Sequence, residues 1–77
     1  MIINAKFGKN TERYNKNINS EDTIKKVLQD EDIDYNTTTI LIDGAPLGVG
    51  DINKTFDEMN ITDTVYINAV VKASNAQ

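Results

Sequence analysis

Apolar positions recur along the chain first at every second residue, then at every third and fourth, then at every second again. Met1, Ile3, Ala5 and Phe7 alternate with Ile2, Asn4 and Lys6, which predicts a strand with one face directed at a core. Gly8-Lys9-Asn10 supplies residues tolerant of positive φ and reads as the reversal. The return run, Thr11 to Asn19, is polar, yet Tyr14 and Ile18 lie an even number of positions apart and share a side with the stem of Lys16. An antiparallel partner strand is expected. At Ser20 the period changes. Ser20 can accept from the amides of a first helical turn, Glu21 and Asp22 suit the positive end of a helix dipole, and Ile24, Val27 and Leu28 follow at helical spacing. The exposed side offers Glu21 to Lys25 and Asp22 to Lys26 as i,i+4 pairs. The acids Asp30, Glu31, Asp32 and Asp34 oppose the negative end of the dipole, which predicts a stop between Gln29 and Asp32.

Thr37 to Ile42 is rich in β-branched residues, and Asp43-Gly44 signals a tight turn. The return Ala45-Pro46-Leu47 is limited by its proline to a short edge strand. Between Asp51 and Met59, the residues Ile52, Phe56 and Met59 sit at helical spacing within a turn or two. Thr64 to Ala73 then alternates Val65, Ile67, Ala69 and Val71 with Tyr66, Asn68, Val70 and Lys72, the clearest strand of all.

A chain of 77 residues accommodates one domain with a modest core, placed at 1–72, and a flexible tail at 73–77. Cysteine and histidine are absent, so disulfides, thiolate chemistry and the commonest general base and metal ligand are missing. Twelve acids stand against eight bases for a net charge of −4, and Arg13 is the sole arginine, which argues against nucleic acid as a partner. The start MIINAKFG lacks the features of a signal peptide, and no run approaches the ~20 apolar residues that cross a bilayer. A cytoplasmic monomer that does not bind membranes is expected. The weight of Asn, Lys, Ile and Asp suggests a bacterial or mobile-element gene. Asp30-Glu-Asp32-Ile-Asp34 has the opening spacing of a calcium loop, but Tyr35 and Leu41 occupy the positions that need Gly and Glu, so a solvated acidic corner is the better reading. The glycines from Gly44 to Gly50 are not followed by the Lys-Ser/Thr of a phosphate loop. So small an interior leaves little room for a desolvated catalytic pair. A non-enzymatic chain without cofactor is expected.

Two runs are familiar. ILIDGAPL, from Ile40, and KTFDEMNITDTVYINAVVK, from Lys54 to Lys72, resemble the second half of the ubiquitin family. That resemblance implies an α+β, ubiquitin-like β-grasp: a mixed sheet of four to five strands, the first and last adjacent and parallel, with one main helix packed across it. On that frame Ile3, Ala5, Ile18, Ile24, Val27, Leu28, Ile40, Ile42, Leu47, Phe56, Ile61, Ile67 and Ala69 point inward. It implies that Ile61 plugs the core after a left-handed Asn60; from the residues alone, Asn60 reads as a simple turn cap.

Period-two logic sends Ile2, Leu41, Tyr66 and Val70 to the opposite face with Asn4 and Asn68; the resemblance implies that the outer positions of the first, third and last strands are neighbours, which would gather them into an apolar patch rimmed by amides. By resemblance, Leu41 and Val70 match the family's main recognition surface, and Asn68 stands where ubiquitin has a histidine. A leucine of that surface has no counterpart in Gly8-Lys9-Asn10, so readers of ubiquitin itself are expected to bind weakly. The protein-binding residues expected here are Ile2, Leu41, Tyr66, Asn68 and Val70, and the partner is an unidentified protein. Two further readings differ in class. A conjugated modifier or sulfur carrier favours a flexible glycine terminus, whereas the last glycine here is Gly50. An acidic inhibitor would use the helix and Asp30 to Asp34 against a basic site, with strong salt dependence. The interaction module is the leading expectation.

Overall fold

The computed structural model describes residues 1–9 and 11–71, Val71 by its backbone alone; the expected tail at 73–77 and the inward placement of Val71 lie outside the described residues. The elements are β1 (Ile2–Lys9), β2 (Glu12–Asn19), α1 (Ile24–Asp30), β3 (Thr38–Ile42), β4 (Ala45–Pro46), a 3₁₀ turn at Asp51–Asn53, and β5 (Thr64–Val71). They form one five-stranded sheet in the order β2-β1-β5-β3-β4. β1 and β5 run parallel at its centre while the other pairings are antiparallel. This is the β-grasp arrangement that the resemblance implied.

The first reversal falls later than the glycine suggested. β1 continues through Gly8 to Lys9, which sits opposite Glu12, because Gly8 is paired on both sides, with Arg13 and with Asn68. Ladder pairing on two edges overrides the turn propensity of one residue. The second reversal is as the sequence predicts: Asp43 at φ 52° and Gly44 at φ 86° are the two left-handed residues that a tight hairpin turn requires.

The inner face of the sheet holds the core. Of the residues expected inside, Leu47 and Ile61 are partly buried against it and the rest are buried. Phe7, Ile33 and Val65 join them. Met1, which shares the parity of Ile3, is exposed, since the ladder begins at Ile2.

Ser20 does not cap the helix. Thr23 does, its Oγ1 accepting from the Lys26 amide at 3.1 Å. Ser20 is instead fully buried, its amide donating to the Met1 carbonyl and its own carbonyl accepting from the Asp57 amide. The residue is taken up in joining β2 to the segment before β5, so the helix starts later and is short. On its exposed side Lys26 pairs with Asp30 at 2.9 Å and, more loosely, with Asp22 at 3.9 Å.

Two left-handed residues close helical turns in the same way. After α1, Asp32 at φ 62° is followed by Ile33, whose amide reaches the Leu28 carbonyl at 2.9 Å. Before β5, Asn60 at φ 63° is followed by Ile61, whose amide reaches the Phe56 carbonyl at 3.0 Å. Each is a Schellman closure in which the next apolar side chain turns back onto the core. Asn60 therefore does more than cap a turn, and Ile33 is buried although acids flank it.

The acidic end of α1 is held by cations and a phenol from the first hairpin. Lys9 Nζ donates to the Glu31 and Asp32 carbonyls, both at 3.2 Å, which offsets the negative end of the dipole. Lys16 meets the Glu31 carboxylate at 2.6 Å, and the Tyr14 hydroxyl donates to it at 3.0 Å while its ring stacks on Phe7 at 5.1 Å. Burial, then the Glu31 hydrogen bond and charge, then Glu12, push the Tyr14 phenol up from 10.0 to about 12. A raised phenol pKa favours the neutral form in the fold, so this contribution is complete below pH 10 and is lost as pH rises from 10 to about 12. Thermal melts across that interval are expected to fall less steeply for Tyr14→Phe than for the parent chain; equal slopes would show that the phenol is not the group responsible.

Candidate functional site

Strand parity and register together lay out the face opposite the helix. One row crosses four strands as Leu41, Asn68, Gly8 and Arg13. The next holds Tyr66, Lys6 and Asn15, and a third Thr64, Asn4 and Asn17. Val70 stands opposite Thr39 beyond the first row.

Tyr66 and Val70 are 53% and 49% exposed, two steps either side of the half-buried Asn68. Leu41 is half-buried beside them on β3. Leu41, Tyr66, Asn68 and Val70 are thus brought together. Ile2 also points outward and is 63% exposed, but it lies eight ladder positions from the level of Val70, roughly 26 Å at ~3.3 Å per residue. The apolar patch is therefore a cluster at one end of the face plus a separate residue at the other.

Tyr66 is fixed from both sides. Its amide donates to Asp43 Oδ1 at 2.9 Å and its carbonyl accepts from the Asp43 amide at 2.8 Å, so the tight turn clamps the strand. Its ring lies 5.9 Å from Lys6 Nζ, within cation–π reach. Beside it a shallow groove of about 400 Å³ is bounded by Lys6, Arg13, Asn15, Tyr66 and Asn68, with Gly8 among its lining. Gly8 has a steric reason to be glycine: a Cβ there would meet Asn68 Oδ1 closer than carbon atoms tolerate, with the Arg13 side chain at 3.5 Å. Lys6, Gly8 and Arg13 lie outside the expected site. Parity already sends Lys6 outward, and the same rule sends Arg13 outward from Tyr14; the turn propensity of Gly8 conceals the groove.

The acidic corner is differently occupied. Asp30 pairs with Lys26, Glu31 binds Lys16 and Tyr14, and Asp34 Oδ1 accepts from the Asn36 amide at 2.9 Å. Farther on, the Asp51 carboxyl is held below its ordinary range by Lys54 and by the Gly48 amide. Among the described residues no group of three His, Cys, Asp or Glu side chains is placed to hold a metal ion. No helix among them is long and apolar enough to cross a membrane.

No family model matches the chain, and no curated protein sequence does either. Solved structures do match. The ubiquitin-like domain of Arabidopsis thaliana protein At2g32350 superposes with a TM-score of 0.69 at 16% identity, over 99% of this chain and 83% of that one. Caldiarchaeum subterraneum ubiquitin gives 0.68 at 12% identity, over 99% and 100%. SUMO from Trypanosoma brucei gives 0.65 at 24% identity, over 97% and 76%. These likenesses rest on backbone geometry, with few residues in common. The chain has the ubiquitin-like β-grasp fold.

Proposed function

We propose that this protein is a non-enzymatic interaction module that recognises a protein partner noncovalently through the outer face of its sheet. The observation that carries the reading is the grouping of Leu41, Tyr66, Asn68 and Val70 on one face, with two exposed apolar side chains next to a half-buried one. Apolar surface gathered in this way, rimmed by amides, is a common mark of a recognition site. Ile2 contributes a peripheral contact for a partner long enough to reach it. The competing reading, an acidic inhibitor, is weakened because Asp30, Glu31 and Asp34, three of the acids it would present, already have partners within the chain. The proposed setting is a monomer in the cytoplasm, with neither nucleic acid nor membrane as a partner.

Affinity capture from lysate of the source organism tests the reading. Val70→Asp places a charge at an exposed position and should leave the melting temperature nearly unchanged. It is expected to reduce recovery of the bound partner at least tenfold, and Leu41→Asp to reduce it further. Equal recovery of every bound protein by parent and variant would sink the proposal.

A further inference from the structure

The outer face differs in charge from the rest of the molecule. In a chain of net charge −4, the charged residues at outward positions of the described strands are Lys6 and Arg13, both cations. The acids from Glu21 to Asp34 and from Asp51 to Asp63 lie in the helix and the connections. Asp43, at the edge of the face, is committed to the Tyr66 amide. Both cations border the groove at Gly8, where the Asn68 and Arg13 side chains lean toward the glycine. Lys6 is held near the Tyr66 ring, and Arg13, which also donates to the Glu12 carbonyl, lies across Gly8.

Resting on the reading above, we propose that this face takes an extended acidic peptide segment: one carboxylate sits in the groove beside Gly8, between Lys6 and Arg13, and a nearby apolar side chain covers Leu41 and Val70. Charge complementarity selects the occupant. A second copy of this chain would bring the same cationic face, or a helix end whose Asp30 and Glu31 already hold Lys26 and Lys16. Lys6, Arg13 and Asn15 line the groove, so cations and an amide are the groups that meet an incoming carboxylate. Gly8 and Leu41 lie in one row two strands apart, about 10 Å at ~4.8 Å per strand. An extended peptide at ~3.3 Å per residue spans that distance in about three residues. The acid and the apolar residue should therefore stand two or three positions apart.

A displayed library of random twelve-residue peptides, selected on the full chain, provides the probe. Selected peptides are synthesised and their affinities measured at low and high salt for the parent, Lys6→Gln, Arg13→Gln and Val70→Asp, with melting curves as the check on folding. Backbone amide shifts locate the contact. The expected result is enrichment of Asp or Glu two or three positions from an apolar residue, with affinity reduced at least fivefold by Lys6→Gln and by Arg13→Gln. Binding should weaken as salt rises, and the Gly8 and Asn68 amides should shift. Selected peptides without acids that still lose binding in Val70→Asp would overturn the acidic occupant and leave the interaction face standing. Peptides indifferent to every variant, or no enrichment, would overturn both. Self-association of the chain that Arg13→Gln abolishes would identify a second copy as the occupant and overturn the proposal.

Discussion

Phe56→Ala is expected to destabilise the protein by about 3–5 kcal/mol, the usual cost of emptying a buried aromatic site. Phe56 is fully buried, and it lies in a connection that has no strand or long helix of its own. What fixes it is a set of backbone ties to the start of the helix: the Ile24 amide donates to the Lys54 carbonyl at 2.9 Å, the Asp57 amide to the Ser20 carbonyl at 2.9 Å, and Thr23 bridges Thr55. The Phe56 carbonyl in turn accepts from Met59 and Ile61. Removing the ring therefore withdraws the apolar anchor from three pieces of chain at once, and the cavity cannot close without breaking those ties. A domain of this length holds roughly 4–12 kcal/mol in all, so the variant should melt at least about 12 °C lower. Phe56→Leu, which keeps most of the volume, should cost under about 1.5 kcal/mol. Denaturant unfolding of the three chains gives the comparison, and a loss below about 1 kcal/mol for the alanine variant would show that the segment is not a pillar of the core.

Ser20→Ala is expected to act in the opposite direction. The Ser20 side chain is fully enclosed and its Oγ has no hydrogen-bond partner among the described residues. A buried polar atom left unpaired costs about 1–3 kcal/mol, while the two backbone bonds that Ser20 makes do not depend on its side chain. Alanine keeps both bonds and removes the hydroxyl. The variant should gain about 1 kcal/mol or more, which for a domain of this size raises the melting temperature by about 4–8 °C. A lower melting temperature would mean that the hydroxyl is satisfied in solution.

How far the sequence discloses this structure depends on what sets each choice. Alternation in Val65-Tyr66-Ile67-Asn68 and the Asp43-Gly44 turn are local signals, and both are realised in β5 and in the hairpin of β3 and β4. The identity of the helix cap is not local. By residue type Ser20 is at least as good a cap as Thr23, and the choice falls to Thr23 because the backbone ties to Met1 and Asp57 commit Ser20 elsewhere. Ile33 reads as one apolar residue among acids until the left-handed Asp32 turns it inward. The candidate site shows the same division. Parity suffices to place Leu41, Tyr66 and Val70 outward, but the separation of Ile2 and the groove over Gly8 arise from the register between strands far apart in sequence. Register of that kind is a property of paired strands.

The parallel pairing of β1 with β5 also sets a schedule for folding. A chain synthesised from its N-terminus can form the β1–β2 hairpin early, but that ribbon then carries Ile3, Ala5 and Phe7 without the cover they have in the finished core. Isolated hairpins are marginal in water, and the central partner, β5, is made after every other element of the described residues. Contacts between the two ends of a chain must overcome loop closure before they are rewarded, which slows folding. Until Thr64 and the residues after it have left the ribosome, the open edge of β1 is available for mispairing, so this domain commits to folding only after β5 has emerged.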